Sequence, residues 1–274
     1  MELPIYQVDA FAGALFRGNP AAVCPLEEWL PDEVMQSIAA ENNLSETAFY
    51  VRKGDRYDLR WFTPGVEVDL CGHATLATAS VILDVRREIA GPRVVFDSRS
   101  GELIVERQEN LYALDFPSRP PGICSQPHPL LEVGLGAKPS QVLAAQDYLC
   151  IFENEDQIRE LKPDMQALTG IDLFATIVTA PGRDCDFVSR FLAPGKGVPE
   201  DPVTGRAHTT LIPYWAKRLG KAKLFARQVS RRGGELWCED RGARVSIAGS
   251  AVQYLEGRIR YAHSDQPHRT VAAR

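Results

Sequence analysis

The sequence predicts an α+β protein of two similar halves related by a pseudo-twofold axis. Each half is a curved, mainly antiparallel sheet wrapped round one apolar helix. Three observations predict it. First, the stretch Pro117 to Pro129 carries five prolines, and a residue with a fixed φ and no N–H suits neither a helix interior nor a central strand. It reads as a semi-rigid connector that divides the 274 residues into near-equal parts. Second, the two parts match in order. Arg60-Trp61-Phe62-Thr63-Pro64-Gly65 corresponds to Arg190-Phe191-Leu192-Ala193-Pro194-Gly195, 130 positions later. Cys71-Gly72-His73-Ala74 corresponds to Thr204-Gly205-Arg206-Ala207, and Gly101-Glu102-Leu103 to Gly234-Glu235-Leu236, each 133 positions later. Solenoid repeats run at about 20–50 residues, so this period describes two copies of one domain. Third, an apolar stretch follows each matched loop, and the first, Gly72–Val85, has no breaker. Such a helix is too apolar for a surface and calls for a sheet to enclose it.

The elements follow in order. Ile5–Phe11 is strand-like, and a helix lies around Asp32–Glu41. Thr47–Val51 and Tyr57–Phe62 are β-rich and alternating. Gly72–Val85 is the buried helix. Val94–Asp97, Glu102–Arg107 and Leu111–Phe116 form a meander, with Ser100-Gly101 as a tight turn. In the second half, strands at Tyr148–Phe152, Thr176–Thr179 and Asp186–Phe191 precede a helix at Ala207–Leu219, and a hairpin turns at Arg232-Gly233-Gly234. The expected domains are therefore residues 1–117 and 130–262, joined by the connector 118–129. Strands near Val252–Arg260 are candidates to cross back to the first half. A polar tail, 263–274, is expected to be loosely held.

Composition narrows the function. Lys and Arg number 31 against 36 Asp and Glu, a net charge of −5, which lacks the basic excess of a nucleic-acid binder. No run of 18 apolar residues predicts a membrane span, and Met-Glu-Leu-Pro is unlike a signal peptide. Six scattered cysteines without a C-x-x-C pair read as reduced thiols, so a cytoplasmic location is expected. A homodimer is the default assembly for such a chain.

The matched loops are the first chemical candidates. Asp69-Leu70-Cys71-Gly72 and Asp201-Pro202-Val203-Thr204-Gly205 each run straight into a helix, whose start offers unpaired N–H donors and a partial positive charge. Two such starts facing each other would hold an anion. The plainer alternative is that Asp69 and Asp201 simply cap their helices. Glu46 stands before an apolar β-rich run, where a carboxylate is costly without a partner or a task. Its repeat counterpart is Ala175, so only one half supplies an acid; a capping or salt-bridging Glu is the alternative. Cys71 and His73 lie beside each other, but no spacing supports zinc, and no metal is expected. Cys71 at a helix start is a candidate base. A two-thiol mechanism would need a second Cys where Thr204 stands. No nucleotide-binding or nucleophile-elbow motif occurs.

Asn43-Leu44-Ser45-Glu46-Thr47-Ala48-Phe49, Asp69-Leu70-Cys71-Gly72-His73-Ala74-Thr75 and Glu200-Asp201-Pro202-Val203-Thr204-Gly205-Arg206-Ala207-His208 resemble three signatures of the PhzF-like phenazine-biosynthesis isomerase family. Asp9-Ala10-Phe11 and Gly18-Asn19-Pro20-Ala21-Ala22-Val23 are in the same style. The resemblance implies the diaminopimelate-epimerase fold, with the site between two domains. It implies proton transfer without a cofactor on a small anionic metabolite, with Glu46 as the shuttle and His73 and Asp201 holding and polarising the substrate. Asn19, Cys71, Gly72, Thr204, Gly205 and Arg206 would surround it. The related epimerases use two Cys, at the positions of Cys71 and Thr204. Arg206 departs from the family pattern, where a small Ser stands; a large cation there would fill the pocket or pair an extra anionic group. A one-thiol amino-acid epimerase using Cys71, and an anion-binding protein without turnover, remain the other readings.

Overall fold

The computed structural model describes residues 1–261; the expected tail lies outside the described residues. The fold is α+β, built on one mixed sheet of eighteen strands. Its first half runs in space as Ala251–Arg260, Glu2–Ala10, Asn19–Leu26, Glu46–Lys53, Arg56–Phe62, Arg93–Ser98, Gly101–Gln108 and Leu111–Pro117. The second half runs as Gly122–Ile123, Gln141–Ala144, Tyr148–Ile151, Thr176–Pro181, Phe187–Ala193, Lys223–Gln228, Gly234–Asp240 and Arg244–Gly249. The two orders mirror each other, including which neighbours are parallel. Asn19–Leu26 is parallel to Glu46–Lys53, as Tyr148–Ile151 is to Thr176–Pro181.

The halves meet where Leu111–Pro117 pairs antiparallel with Arg244–Gly249. These strands are repeat counterparts at the 133-residue offset. Leu114 pairs with its own counterpart, Ile247. Two equivalent strands paired antiparallel are related by a twofold axis, and this pair marks where it passes.

Each half encloses a central helix. Gly72–Ser80 is buried at every residue after Gly72, and Gly205–Leu219 buries nine of its fifteen residues, Trp215 among them. The small side chains Ala74, Ala77 and Ala79 let strands approach the first helix closely. Trp215 stacks on Phe187 with ring centres 5.5 Å apart and donates its indole N–H to Thr179 at 3.0 Å. One core spans both helices, and smaller clusters lie under Asp32–Asn42 in the first half and under Leu130–Leu135 in the second.

Three expectations are corrected, and one strand was missed. The second half does not own the chain to residue 262: Ala251–Arg260 pairs with Glu2–Ala10, the crossing that the strands near Val252–Arg260 had suggested. The connector is not only a spacer, since Gly122–Ile123 adds an edge strand beside Leu143 and Ala144. The first central helix ends at Ser80, and Val81–Val85 widens into a π turn. Asn19–Leu26 is a well-buried strand that Pro20 and Pro25 disguised.

Candidate active site

Asn43 ends the helix Asp32–Asn42 in a left-handed conformation, φ 49°, and the chain then enters the strand that opens with Glu46. That strand lies parallel to Asn19–Leu26, with Ala21 opposite Glu46. Asn19 and Glu46 therefore emerge at the same end of the sheet, where the first central helix begins.

His73, on the first turn of that helix, lies with Nε2 3.0 Å from Glu46 Oε2. That carboxylate oxygen is buried and has no hydrogen bond of good geometry. The other ring nitrogen, Nδ1, is 3.2 Å from Asn19 Nδ2 and 3.5 Å from Cys71 Sγ. The two Asn19 amide hydrogens are already taken by Asp201 Oδ1 at 2.8 Å and the Val203 carbonyl at 2.9 Å. The sulfur is thus left as the acceptor for a proton on Nδ1.

Asn19 joins the two halves, because Asp201 and Val203 come from the second. Ser45 donates to its carbonyl oxygen at 3.1 Å. Asp201 accepts from the Thr204 hydroxyl at 2.5 Å. Gln228 completes the loop: it accepts from Thr204 N at 2.9 Å and donates to the Asp201 carbonyl at 2.7 Å. Cys71 and Thr204 are the residues preceding the two helices, and neither helix has a side-chain cap. The capping alternative for the aspartates therefore fails: Asp69 is exposed, and Asp201 bonds a side chain instead.

Electrostatics follow from this crowding. Burial opposes a charge on His73, but the Cys71 sulfur and the Glu46 carboxylate more than offset it and hold the imidazole well above its usual pKa. Burial, aided by the Glu46 charge, pushes the Cys71 thiol up to about 11. The lowered thiol expected at a helix start is not found, and Glu46 is the anion that supports His73 at neutral pH. Burial also raises Asp201 to about 6, against the pull of His73 and Thr204.

The donor atoms of Glu46, Cys71 and His73 lie within 4.8 Å of one another, close enough to touch one cation. The thiol and the imidazole must each lose a proton before binding a metal, and the raised pKa of both makes that loss costly.

The structure brings Glu46, His73, Asp201, Asn19, Cys71 and Thr204 into one network and starts a helix at each of Gly72 and Gly205. Arg206 stands apart. Its Nη2 pairs with Asp147 Oδ1 at 2.9 Å, and its guanidinium lies 3.8 Å from the centre of the Phe174 ring. Arg206 is the counterpart of His73, so the second half holds an Arg–Asp pair where the first holds His–Glu. Gln228, Ser45 and Asp147 were not assigned roles from sequence. A polar Gln closing a strand beside a Gly-rich turn was the one available signal.

The two mirrored halves, each enclosing a helix that starts at a matched loop, are those of an isomerase of the phenazine biosynthesis-like class. The chain belongs to the family described as phenazine biosynthesis-like protein, PhzC-PhzF, which it matches over residues 8–257. It is 53% identical to a Pseudomonas aeruginosa protein named an uncharacterized isomerase, over 94% of this chain and 99% of that one. It is similar to the crystal structure of a PhzF-family phenazine biosynthesis protein of Enterococcus faecalis. There the TM-score is 0.93 and the identity 48%, covering 95% of this chain and all of the other. A hydroxyproline epimerase from Agrobacterium vitis shares the fold at a TM-score of 0.60 and 10% identity, covering 94% of this chain and 91% of that one. No helix among the described residues is long and apolar enough to cross a membrane.

Proposed function

We propose that this isomerase moves a proton between two carbons of a small carboxylate-bearing substrate, without a cofactor, using Glu46 as acid and base. The observation that carries the reading is the buried Glu46 Oε2, whose one close partner is His73 Nε2 at 3.0 Å and which lies near Asp201 of the second half. In the first step Glu46 takes a proton from carbon, and the electron pair moves toward the adjacent electron-withdrawing group. Glu46 then returns the proton to a second carbon. Protons and electrons balance within the substrate.

The remaining residues serve the charge that develops. The N–H groups at Gly72 and Gly205 face an anion with no side-chain cap competing for them. The His73 imidazolium adds a positive charge beside Glu46. Asn19 and Asp201 hold the two halves together across the site. Arg206, already oriented by Asp147, is proposed to meet an additional anionic group of the substrate.

A thermal-shift screen of aromatic and cyclic carboxylates identifies a ligand, and its C–H exchange with solvent deuterium is then followed by NMR. Glu46→Gln is expected to slow exchange by about 10²–10⁴-fold while the folded protein still binds the ligand. Exchange at the wild-type rate in Glu46→Gln would sink the proposal. A thiol-based epimerase is disfavoured by the raised Cys71 pKa and by Thr204 at the counterpart position.

A further inference from the structure

A separate cavity of about 380 Å³ lies between the segment 11–18 of the first half and the hairpin 228–235 of the second. It is within the size range of small-molecule pockets. Its walls carry Arg17, Arg159, Arg227 and Arg232, against one lining carboxylate, Glu235. Three of these arginines are paired: Arg159 with Glu155 at 2.6 Å, Arg227 with Glu235 at 3.1 Å and Arg232 with Asp9 at 2.8 Å. Arg17 has no carboxylate partner among the described residues; it donates to the Arg232 carbonyl at 3.3 Å. A guanidinium has five N–H donors, and at least two on each side chain remain after its bonds within the protein. The paired side chains are also 31–49% exposed, so those donors are reachable.

The walls are held in place before any ligand arrives. Gly18 N donates to the Gly233 carbonyl at 2.7 Å and Glu235 N to the Phe11 carbonyl at 3.1 Å. Arg232 Nε donates to the Gly18 carbonyl at 2.8 Å. The cavity also shares a wall with the active site. Gln228 lines it and holds Thr204 and Asp201, while Ser230 lines it and donates to the Pro202 carbonyl at 2.7 Å.

We infer that this cavity is a second anion site, distinct from the helix starts, for a small multiply charged oxyanion. Guanidinium groups contributed by both halves suit several charges rather than a single carboxylate. Because Gln228 and Ser230 hold the 201–204 loop, an anion bound here stabilises the arrangement of that loop, and a substrate on the loop strengthens the anion in return.

The test uses the full chain, with inorganic pyrophosphate and citrate as probes in calorimetry at low ionic strength and at 0.15 M salt. One saturable site per chain is expected. Binding weakens at least tenfold in Arg17→Gln/Arg227→Gln and stays within about twofold in Gly205→Ala, which alters the helix start instead. Arg17→Gln breaks no ion pair, so it alone should weaken binding several-fold if the double variant folds poorly. Pyrophosphate without citrate points to a phosphate-bearing ligand, and binding of both points to polycarboxylates as well. No saturable binding of either probe, or loss in Gly205→Ala with full retention in the arginine variants, would overturn the inference.

Discussion

Asp201 is asked to do two conflicting things. It must sit in a crowded loop, where burial and the nearby Glu46 charge raise its pKa to about 6, and it must accept hydrogen bonds from Asn19 and Thr204. Below about pH 4 the acid is neutral in both folded and unfolded chains and costs the fold nothing. Between about pH 4 and 6 the unfolded chain ionises while the folded one resists, and above that both are ionised. Stability is therefore lost with rising pH across this window, by an amount of order 2–3 kcal/mol. Asp201→Asn keeps the acceptor for Asn19 and removes the charge. Urea unfolding at pH 4.5 and 7.5 should show the variant gaining stability over the wild type at the higher pH, with activity lowered. Parallel wild-type and variant profiles would show that the carboxylate is not strained. Glu46 stood out in the sequence because its repeat counterpart is Ala175, whereas the roles expected of His73 and Asp201 came from the family resemblance. Gln228 and Asp147 were not legible there, because their partners Thr204 and Arg206 lie 24 and 59 residues away. Such partners meet only through the fold.

At the scale of elements, the two helix starts differ in the space beside them. A Cβ on Gly72 would meet the Phe116 ring at 3.5 Å, an ordinary contact. A Cβ on Gly205 would meet nothing within 4 Å, and its φ is not in the left-handed region. The side of Gly205 is therefore open space, and packing does not require a glycine there. Gly205→Ala should leave thermal stability unchanged or raise it by up to about 1 kcal/mol, since Ala suits a helix better. Carboxylate binding should weaken by about tenfold or more, because the methyl group fills the approach to the N–H donors. Ligand titration beside a melting curve separates the two effects, and unweakened binding would remove Gly205 from the site. The first central helix was readable because Gly72–Val85 carries Ala, Leu and Ile without a breaker, whereas the second holds Pro213 within it and shows its character less plainly. Leu130–Leu135, Glu155–Glu160 and Met165–Leu168 were missed because four to six residues do not complete two helical turns.

At the scale of the whole molecule, the repeat explains the sheet and also how each half is closed. The mirrored strand order and the Leu114–Ile247 pair follow from two copies of one unit joined at their last meander strands. The strand Ala251–Arg260 follows the second copy and completes the first, as Gly122–Ile123 follows the first copy and completes the second. Glu2–Ala10 pairs with Ala251–Arg260 along its whole length and with Asn19–Leu26 on the other side, and Asn19 is the residue that binds Asp201. One strand, Glu2–Ala10, thus lies between the returning strand and the strand that carries Asn19. Removing residues 250–274 leaves Glu2–Ala10 as an open edge and uncovers the surface beneath Ile259 and Ala251, which pack against the first-half clusters. The expected loss is at least about 4 kcal/mol, a large share of the roughly 5–15 kcal/mol that holds a domain folded. The exposed edge should also promote aggregation. Soluble yield and urea midpoint, measured against the chain ending at Tyr261, test this. A shortened protein with an unchanged midpoint would mean that the first half closes without the returning strand.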